Sequence, residues 1–259
     1  MRRAAAPSAS GVAGLPPGYR EWPAPAALRH VVSCLWAQVT ADAGHRDGLV
    51  LPDACSDLIW ERGKGAYVAG PDTGPVPTRM PAGTLILGVR FRPSAGGPVL
   101  GVPLSELRDQ RVDLTELRPA GAMRLPGTLD LDTAMARVLD VAGALVADAS
   151  PDPAAIHAAR LLRDPKARIQ DVAAEVGLSL RQLRRRCHAT AGYGPKTLQR
   201  VLRFRRFVAW IDARPADGIP ADLAAIAAEV GYADQAHLTR ECRQLAGLTP
   251  AALARQRVL

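Results

Sequence analysis

Residues 173–177 read AAEVG, and residues 227–231 read AAEVG again, at an offset of 54. After one inserted residue the offset becomes 55: Leu183 matches Leu238, Arg185 matches Arg240, Cys187 matches Cys242, Gly192 matches Gly247 and Pro195 matches Pro250. Matches this long with a single slip point to one supersecondary unit used twice.

Each copy has the grammar of a helix-turn-helix. A short helix (169–176, then 223–230) runs into a glycine, which can take the left-handed conformation that closes a helix. The apolar residue that follows, Leu178 or Tyr232, plugs the angle of the turn. Ser179 and Asp234 are strong N-caps for a second helix. Within that helix Leu183/Cys187 and Leu238/Cys242 stand at i and i+4 and bury one stripe. The opposite face carries Arg181, Arg184, Arg185 and His188 in the first copy, and Gln235, Ala236, Thr239 and Arg240 in the second. Such side chains suit a major groove, because Arg pairs bidentately with guanine, Gln with adenine, and small apolar groups meet the thymine methyl. A single charged helix face is most simply a solvated one. Two capped copies in the basic part of the chain favour nucleic acid.

Between the copies, 195–213 (PKTLQRVLRFRRFVAWIDA) reads as one long helix with proline at its first position. Leu198, Val201, Leu202, Val208 and Ile211 form a stripe for packing on both units, and Arg200, Arg203, Arg205 and Arg206 decorate the rest. A rigid connector of this kind holds both recognition helices on one side, where successive groove segments lie about 34 Å apart. Residues 214–221 (RPADGIPA) read as an exposed excursion.

The 259-residue chain has a formal charge of +8, and residues 166–259 hold 16 Lys+Arg against 8 Asp+Glu. The first 165 residues balance at 17 of each sign, so the whole excess belongs to the repeated region. That asymmetry suggests a polyanion-binding module joined to an electrically neutral domain. The four cysteines form no CxxC pair, which fits a reduced cytoplasmic thiol set. The N-terminal stretch lacks the apolar core of a signal peptide, and no apolar run approaches the roughly 18 residues of a membrane span, so neither secretion nor a membrane partner is expected.

The segments AAEVGLSLRQLRRRCHATAGYGP and AAEVGYADQAHLTRECRQLAGLTP, joined by the long helix, resemble the AraC-type (AraC/XylS) bacterial transcription regulators over about residues 166–255. The second copy, with GYADQAHLTR followed by GLTP, is the more family-like. The resemblance implies a seven-helix domain that binds an asymmetric site on double-stranded DNA as one unit. It implies base contacts from Arg181, Arg184, Arg185, Gln235, Ala236, Thr239 and Arg240, and phosphate contacts from Ser179, Lys196 and Arg200. RNA polymerase, a small-molecule effector and a second copy of the chain are further candidate partners. This sequence departs from the family at Cys187 and Cys242, where phenylalanine is usual. It departs again in the run Arg184–Arg186, which with Arg181 is more basic than usual and favours phosphate contact over base reading in the first copy.

The expected fold is α+β: a flexible lead-in (1–20), a β-rich sandwich or small barrel (21–118), linker and connector helices (119–165), and an all-α double helix-turn-helix domain (166–259). Strand signals fall at 30–40, 57–61, 66–69 and 84–92, separated by Gly/Pro/Asp clusters such as GPDTGPVP. Residues 103–107 (PLSEL) begin a short helical patch. Residues 129–148 have helical spacing, with Leu131, Met135, Val138, Leu139, Ala142 and Leu145 on one stripe, for packing or dimerisation. A further helix follows at about 153–163. The N-terminal half is expected to sense or dimerise, and LPDACSDLIW (51–60) resembles a motif in an uncharacterised group of sensor domains of such regulators.

No catalytic residue, metal ligand or cofactor is expected. His30 and His45 do not make a metal-cupin arrangement. Asp53 and Asp57 bracket Cys55, and Asp beside a strand usually shapes the backbone. An alkyl-transfer repair sensor using the same DNA module is the alternative, but it needs four thiolates and only Cys34 and Cys55 lie in this half. A non-specific DNA coater is a third reading. Trp22, Trp36 and Trp60 fit a core better than a ligand pocket.

Overall fold

The computed structural model describes residues 15–118, 125–213 and 222–258. The lead-in before residue 15, residues 119–124 of the linker and the 214–221 excursion therefore lie outside the described residues. Eight strands come first: β1 (Gly18–Pro23), β2 (Val32–Val39), β3 (His45–Val50), β4 (Ser56–Glu61), β5 (Gly65–Ala69), β6 (Val76–Pro81), β7 (Leu85–Phe91) and β8 (Arg111–Asp113). Six form an antiparallel sheet in the order β1-β2-β7-β4-β5-β8, and β3 pairs with β6 in a separate two-stranded ribbon. Alternation decides the faces. Leu35, Leu58, Trp60, Val68, Leu87 and Val89 point into one core, while Trp36, Ile59 and Ala69 form a smaller apolar cluster of their own. Trp36 lies against Gly88 of the neighbouring strand, where a Cβ would sit 2.1 Å from the indole.

The strand signals at 30–40, 57–61, 66–69 and 84–92 correspond to β2, β4, β5 and β7. β1 begins inside the expected lead-in, and β6 occupies part of an expected turn cluster. Pro77 and Pro81 are tolerated in β6 because a two-stranded ribbon leaves an outer edge that needs no amide donor. Two short helices, α1 (Gly96–Leu100) and α2 (Leu114–Leu117), follow the sheet. Residues 103–107 form turns rather than the expected helical patch, closed by Glu106 N–H to Pro103 O at 2.9 Å and Leu107 N–H to Leu104 O at 3.2 Å, while Leu104 N–H donates to Ala189 O at 2.8 Å in the helical domain.

The connector divides between two cores. α3 (Leu131–Ala147) buries Met135, Val138, Val141 and Leu145 against the six-stranded sheet. At roughly 1.5–3 kcal/mol per such side chain, that stripe fixes the helix as part of the N-terminal layer. Leu131 and Leu139 of the expected stripe are partly buried on the same core. α4 (Pro153–Leu161) instead joins the helical core through Ala158 and Ala159. It begins a seven-helix set with α5 (Ile169–Glu175), α6 (Leu180–Ala191), α7 (Pro195–Asp212), α8 (Leu223–Val230), α9 (Gln235–Ala246) and α10 (Pro250–Val258). α7 runs through the middle, and Leu198, Val201, Leu202, Phe204, Phe207, Trp210 and Ile211 bury into a core shared with both repeats. No described helix is long and apolar enough to cross a membrane.

Candidate nucleic-acid interface

The two repeats close their turns alike. Gly177 (φ 67°) and Gly231 (φ 93°) adopt the left-handed conformation. Leu178 N–H then reaches back to Ala173 O at 2.8 Å and Tyr232 N–H to Ala227 O at 2.7 Å, which satisfies the last helical carbonyls. Ser179 opens α6 with a capping box: its hydroxyl accepts from Gln182 N–H at 3.2 Å, and the Gln182 amide accepts from Ser179 N–H at 2.9 Å. Asp234 opens α9 by accepting from His237 N–H at 2.6 Å. Leu183, Cys187, Leu238 and Cys242 are fully buried, so the second-helix stripes fall where their spacing puts them. The two cysteines complete closed cores without the bulk of phenylalanine. Burial pushes both thiols up to about 12 and keeps them neutral.

The opposite stripe of α6 is open. Arg181, Arg184 and Arg185 are exposed and make no ion pair among the described residues. His188 continues the stripe one turn further; burial, then the nearby cations Arg184 and Arg108, hold its imidazole below the ordinary histidine pKa. On α9, Gln235, Ala236 and Arg240 are exposed, and Thr239 is half-buried with its hydroxyl donating to Gln235 O at 2.8 Å. Leu180, half exposed at 49%, stands at the start of α6. The repeat offset of 55 pairs it with Gln235, so the register alone places it at the start of the recognition stripe.

Among the expected phosphate ligands, Lys196 stands exposed in the first turn of α7, behind a glycine N-cap that offers no side chain to the helix N–H groups. The Ser179 hydroxyl is exposed and already accepts within its capping box. Arg200 is engaged elsewhere: its Nε lies 3.1 Å from buried Glu241 and its guanidinium donates to Gln244 at 2.9 Å, which bridges α7 to α9. Arg203 completes that bridge, 3.8 Å from Glu241, with its guanidinium 4.8 Å above the Tyr232 ring. Arg186 is likewise held, 2.9 Å from Asp152, the N-cap of α4. The run Arg184–Arg186 is thus two open cations and one structural one.

The N-terminal domain grips the first repeat at the far end of α6. Besides the Leu104–Ala189 hydrogen bond, Tyr193 donates its hydroxyl to Asp72 O at 2.8 Å, and Gly97 lies so close that a Cβ would stand 2.3 Å from Ala189 O. The LPDACSDLIW motif lies at this junction. Asp53 shapes the turn, accepting from Cys55 N–H at 2.9 Å across a left-handed Ala54. Asp57 is a buried hub, accepting from Trp36 Nε1 at 2.6 Å and from Arg90 Nε at 3.2 Å. Burial disfavours the Arg90 cation, but Asp57 and Asp53 more than offset this and hold its pKa above the ordinary arginine value. Cys55 is buried, its sulfur 3.6 Å from Arg205 of α7, and burial pushes the thiol up. His30 lies in the turn before β2 and His45 opens β3, and no group of three metal-ligating side chains occurs among the described residues.

Residues 172–256 match the family profile described as a helix-turn-helix domain, and residues 20–113 match a domain of unknown function (DUF6597). The C-terminal region is therefore a helix-turn-helix domain. No curated protein matches the chain. Among solved structures, an apo variant of ToxT from Vibrio cholerae is similar at 11% identity and a TM-score of 0.44, over 85% of this chain and 96% of that one. ToxT from Vibrio cholerae O395 is similar at 10% identity and 0.43, over 84% and 95%. ToxT bound to an unsaturated fatty acid is similar at 10% and 0.42, over 84% and 93%.

Proposed function

We propose that the chain is a sequence-specific regulator that reads an asymmetric duplex site with α6 and α9 in successive major-groove segments. The observation that carries this reading is the sorting of its cations. Those on the packing faces, Arg186, Arg200 and Arg203, are held by Asp152 and Glu241. Those on the open stripes, Arg181, Arg184, Arg185 and Arg240, have no acidic partner among the described residues. A folded protein leaves a row of like charges unpaired at a cost in self-repulsion, and a polyanion removes that cost. Arg181, Arg184, Arg185, Gln235, Ala236, Thr239 and Arg240 are assigned to base edges, and Lys196 with the Ser179 hydroxyl to phosphates. Arg200 serves first as the α7–α9 bridge and only its outer donor can meet a phosphate.

The N-terminal domain senses or dimerises in this reading, and cytoplasmic residence and contact with RNA polymerase follow from a role in transcription. The alkyl-transfer alternative draws no support from Cys55, because nucleophilic transfer needs an accessible thiolate and this thiol is buried with a raised pKa. Selection of bound fragments from random duplexes by the purified full chain tests the proposal. Enrichment of two sequence blocks about one helical turn apart is expected. Tight binding with no enriched sequence would overturn it in favour of a non-specific DNA coater.

A further inference from the structure

The turn at residues 103–110 of the N-terminal domain ends against the recognition helix of the first repeat. Its position is fixed from both sides. Leu104 and Leu107 are buried in the sheet core, and Leu104 N–H donates to Ala189 O of α6. Gly192, which caps α6, lies so close to Leu104 that a Cβ would stand 3.1 Å from the Leu104 carbonyl oxygen. The turn then closes through Gln110 N–H to Leu107 O at 3.0 Å, and Asp109 is pinned by accepting from Thr73 N–H at 2.6 Å.

Between those anchors stands Arg108, exposed and without an ion pair or hydrogen bond among the described residues. Its charge is felt at His188, as is that of Arg184. Arg181, Arg184 and His188 fall on one stripe of α6, and the Leu104–Ala189 hydrogen bond brings the turn that carries Arg108 to the end of α6 where His188 stands. The start of a recognition helix meets base edges, and its far end leaves the groove beside the sugar-phosphate backbone. A cation at the far end, on a rigid turn, is placed for phosphate and not for bases.

We infer that Arg108 is a DNA phosphate contact supplied by the N-terminal domain, so that this domain forms part of the DNA-binding surface of the first repeat. The inference rests on the proposed reading of α6 as a recognition helix. It adds that the footprint on the first half-site is wider than the helical domain alone gives.

The test is the salt dependence of binding by the full chain to a mixed-sequence duplex of about 40 base pairs, long enough for several groove turns. Arg108→Ala should lower the slope of log K against log salt by about 0.9, so that the wild type's advantage shrinks about 3.5-fold for each fourfold rise in salt. Arg108→Lys should keep the slope, and Arg108→Glu should weaken binding further at low salt. The loss should be equal on selected and random duplexes, since no base is read. DNA binding with the same slope for wild type and Arg108→Ala overturns the Arg108 contact alone. A wild-type chain that binds no duplex at low salt overturns the reading of the α6 face, and this inference with it. Arg108 has no partner to lose within the protein, so equal melting temperatures for wild type and variants are expected and separate charge loss from misfolding.

Discussion

Gly97→Ala is the sharpest perturbation of the junction between the domains. Gly97 lies within α1, and a Cβ there would stand 2.3 Å from Ala189 O and 3.2 Å from Thr190 Cα. Both obstacles are backbone of α6, so no side chain can rotate away. Overpacking of this kind costs about 1–3 kcal/mol. If the domains separate enough to break the Leu104–Ala189 hydrogen bond, about 0.5–1.5 kcal/mol is added. Alanine's better helix propensity offsets up to about 1 kcal/mol. The contributions span a loss of about 0.5–4.5 kcal/mol with a midpoint of about 2.5 kcal/mol, and at about 2–4 °C per kcal/mol for a chain of this size that midpoint lowers the melting temperature by roughly 5–10 °C. Two probes separate the domains. Tryptophan fluorescence reports mainly the sheet, because Trp22, Trp36 and Trp60 are in it and only Trp210 is in α7. Far-UV circular dichroism reports mainly the helices. Wild type should show coincident transitions, and Gly97→Ala should split them. A melting temperature that holds or rises, as propensity alone dictates, would refute the close approach of α1 to α6.

The remaining expectations concern DNA and the second repeat. Arg240→Ala should cost about 1–3 kcal/mol on the preferred duplex and much less on random DNA, whereas Lys196→Ala should weaken both alike and lower the salt slope by about 0.9; fluorescence anisotropy on both duplexes would show whether the two roles are reversed. His188 titrates below the ordinary histidine value in the free protein. Its neutral form is therefore favoured by folding, and its share of stability, full above the unfolded pKa, is lost as pH falls through that value toward the folded one. Phosphate favours the imidazolium, so DNA affinity should rise as pH falls from about 7.5 to about 6, and His188→Gln should flatten that rise; an unchanged pH dependence would remove His188 from the interface. Glu241→Ala leaves Arg200 and Arg203 without their carboxylate between α7 and α9. With both arginines partly solvated the cost should be about 1–3 kcal/mol in urea unfolding, and a loss under half of that would mean the bridge is ornamental.

The repeats were legible because their determinants are local. A glycine at a helix end, a cap three residues from its amide partner and a stripe at i and i+4 act within a dozen residues. Gly177, Ser179, Leu183 and Cys187 accordingly behave as their spacing says. The division of labour among arginines was not legible. Arg185 and Arg186 are neighbours in sequence, yet one faces solvent and the other meets Asp152, and that partner comes from a helix 34 residues away. Arg200, which the resemblance assigns to phosphate, also meets Glu241 and Gln244 from a helix more than 40 residues away, and its own sequence neighbours give no sign of that bridge. β6 was hidden by its two prolines, which read as turn residues and are tolerated in a two-stranded ribbon. The grip on α6 through Gly97 and Leu104 left no signal, because it rests on small residues and a backbone hydrogen bond.

That grip also decides how the two repeats differ. α6 is tied to the N-terminal domain by Leu104, Tyr193 sits beside it on Asp72 O, and α7 touches Cys55 through Arg205. α9 is held through α7, an 18-residue helix spanning about 27 Å, by the Arg200–Glu241 bridge. A ligand on the N-terminal domain can bias DNA binding only through contacts that differ between two arrangements, and that domain's hydrogen bonds to the helical domain lie at the first repeat and on α7, while Pro75 lies near Gly247 at the end of α9. The two junction variants then make a decisive pair. If docking is what places Arg108 beside His188, Gly97→Ala should lower the salt slope of DNA binding although it removes no charge. Combining it with Arg108→Ala should lower the slope no further, since the contact has already gone. Additive slopes would mean that Arg108 reaches DNA independently of the α1–α6 contact, and the N-terminal domain would then be a tethered neighbour of the first repeat with no hold on its orientation.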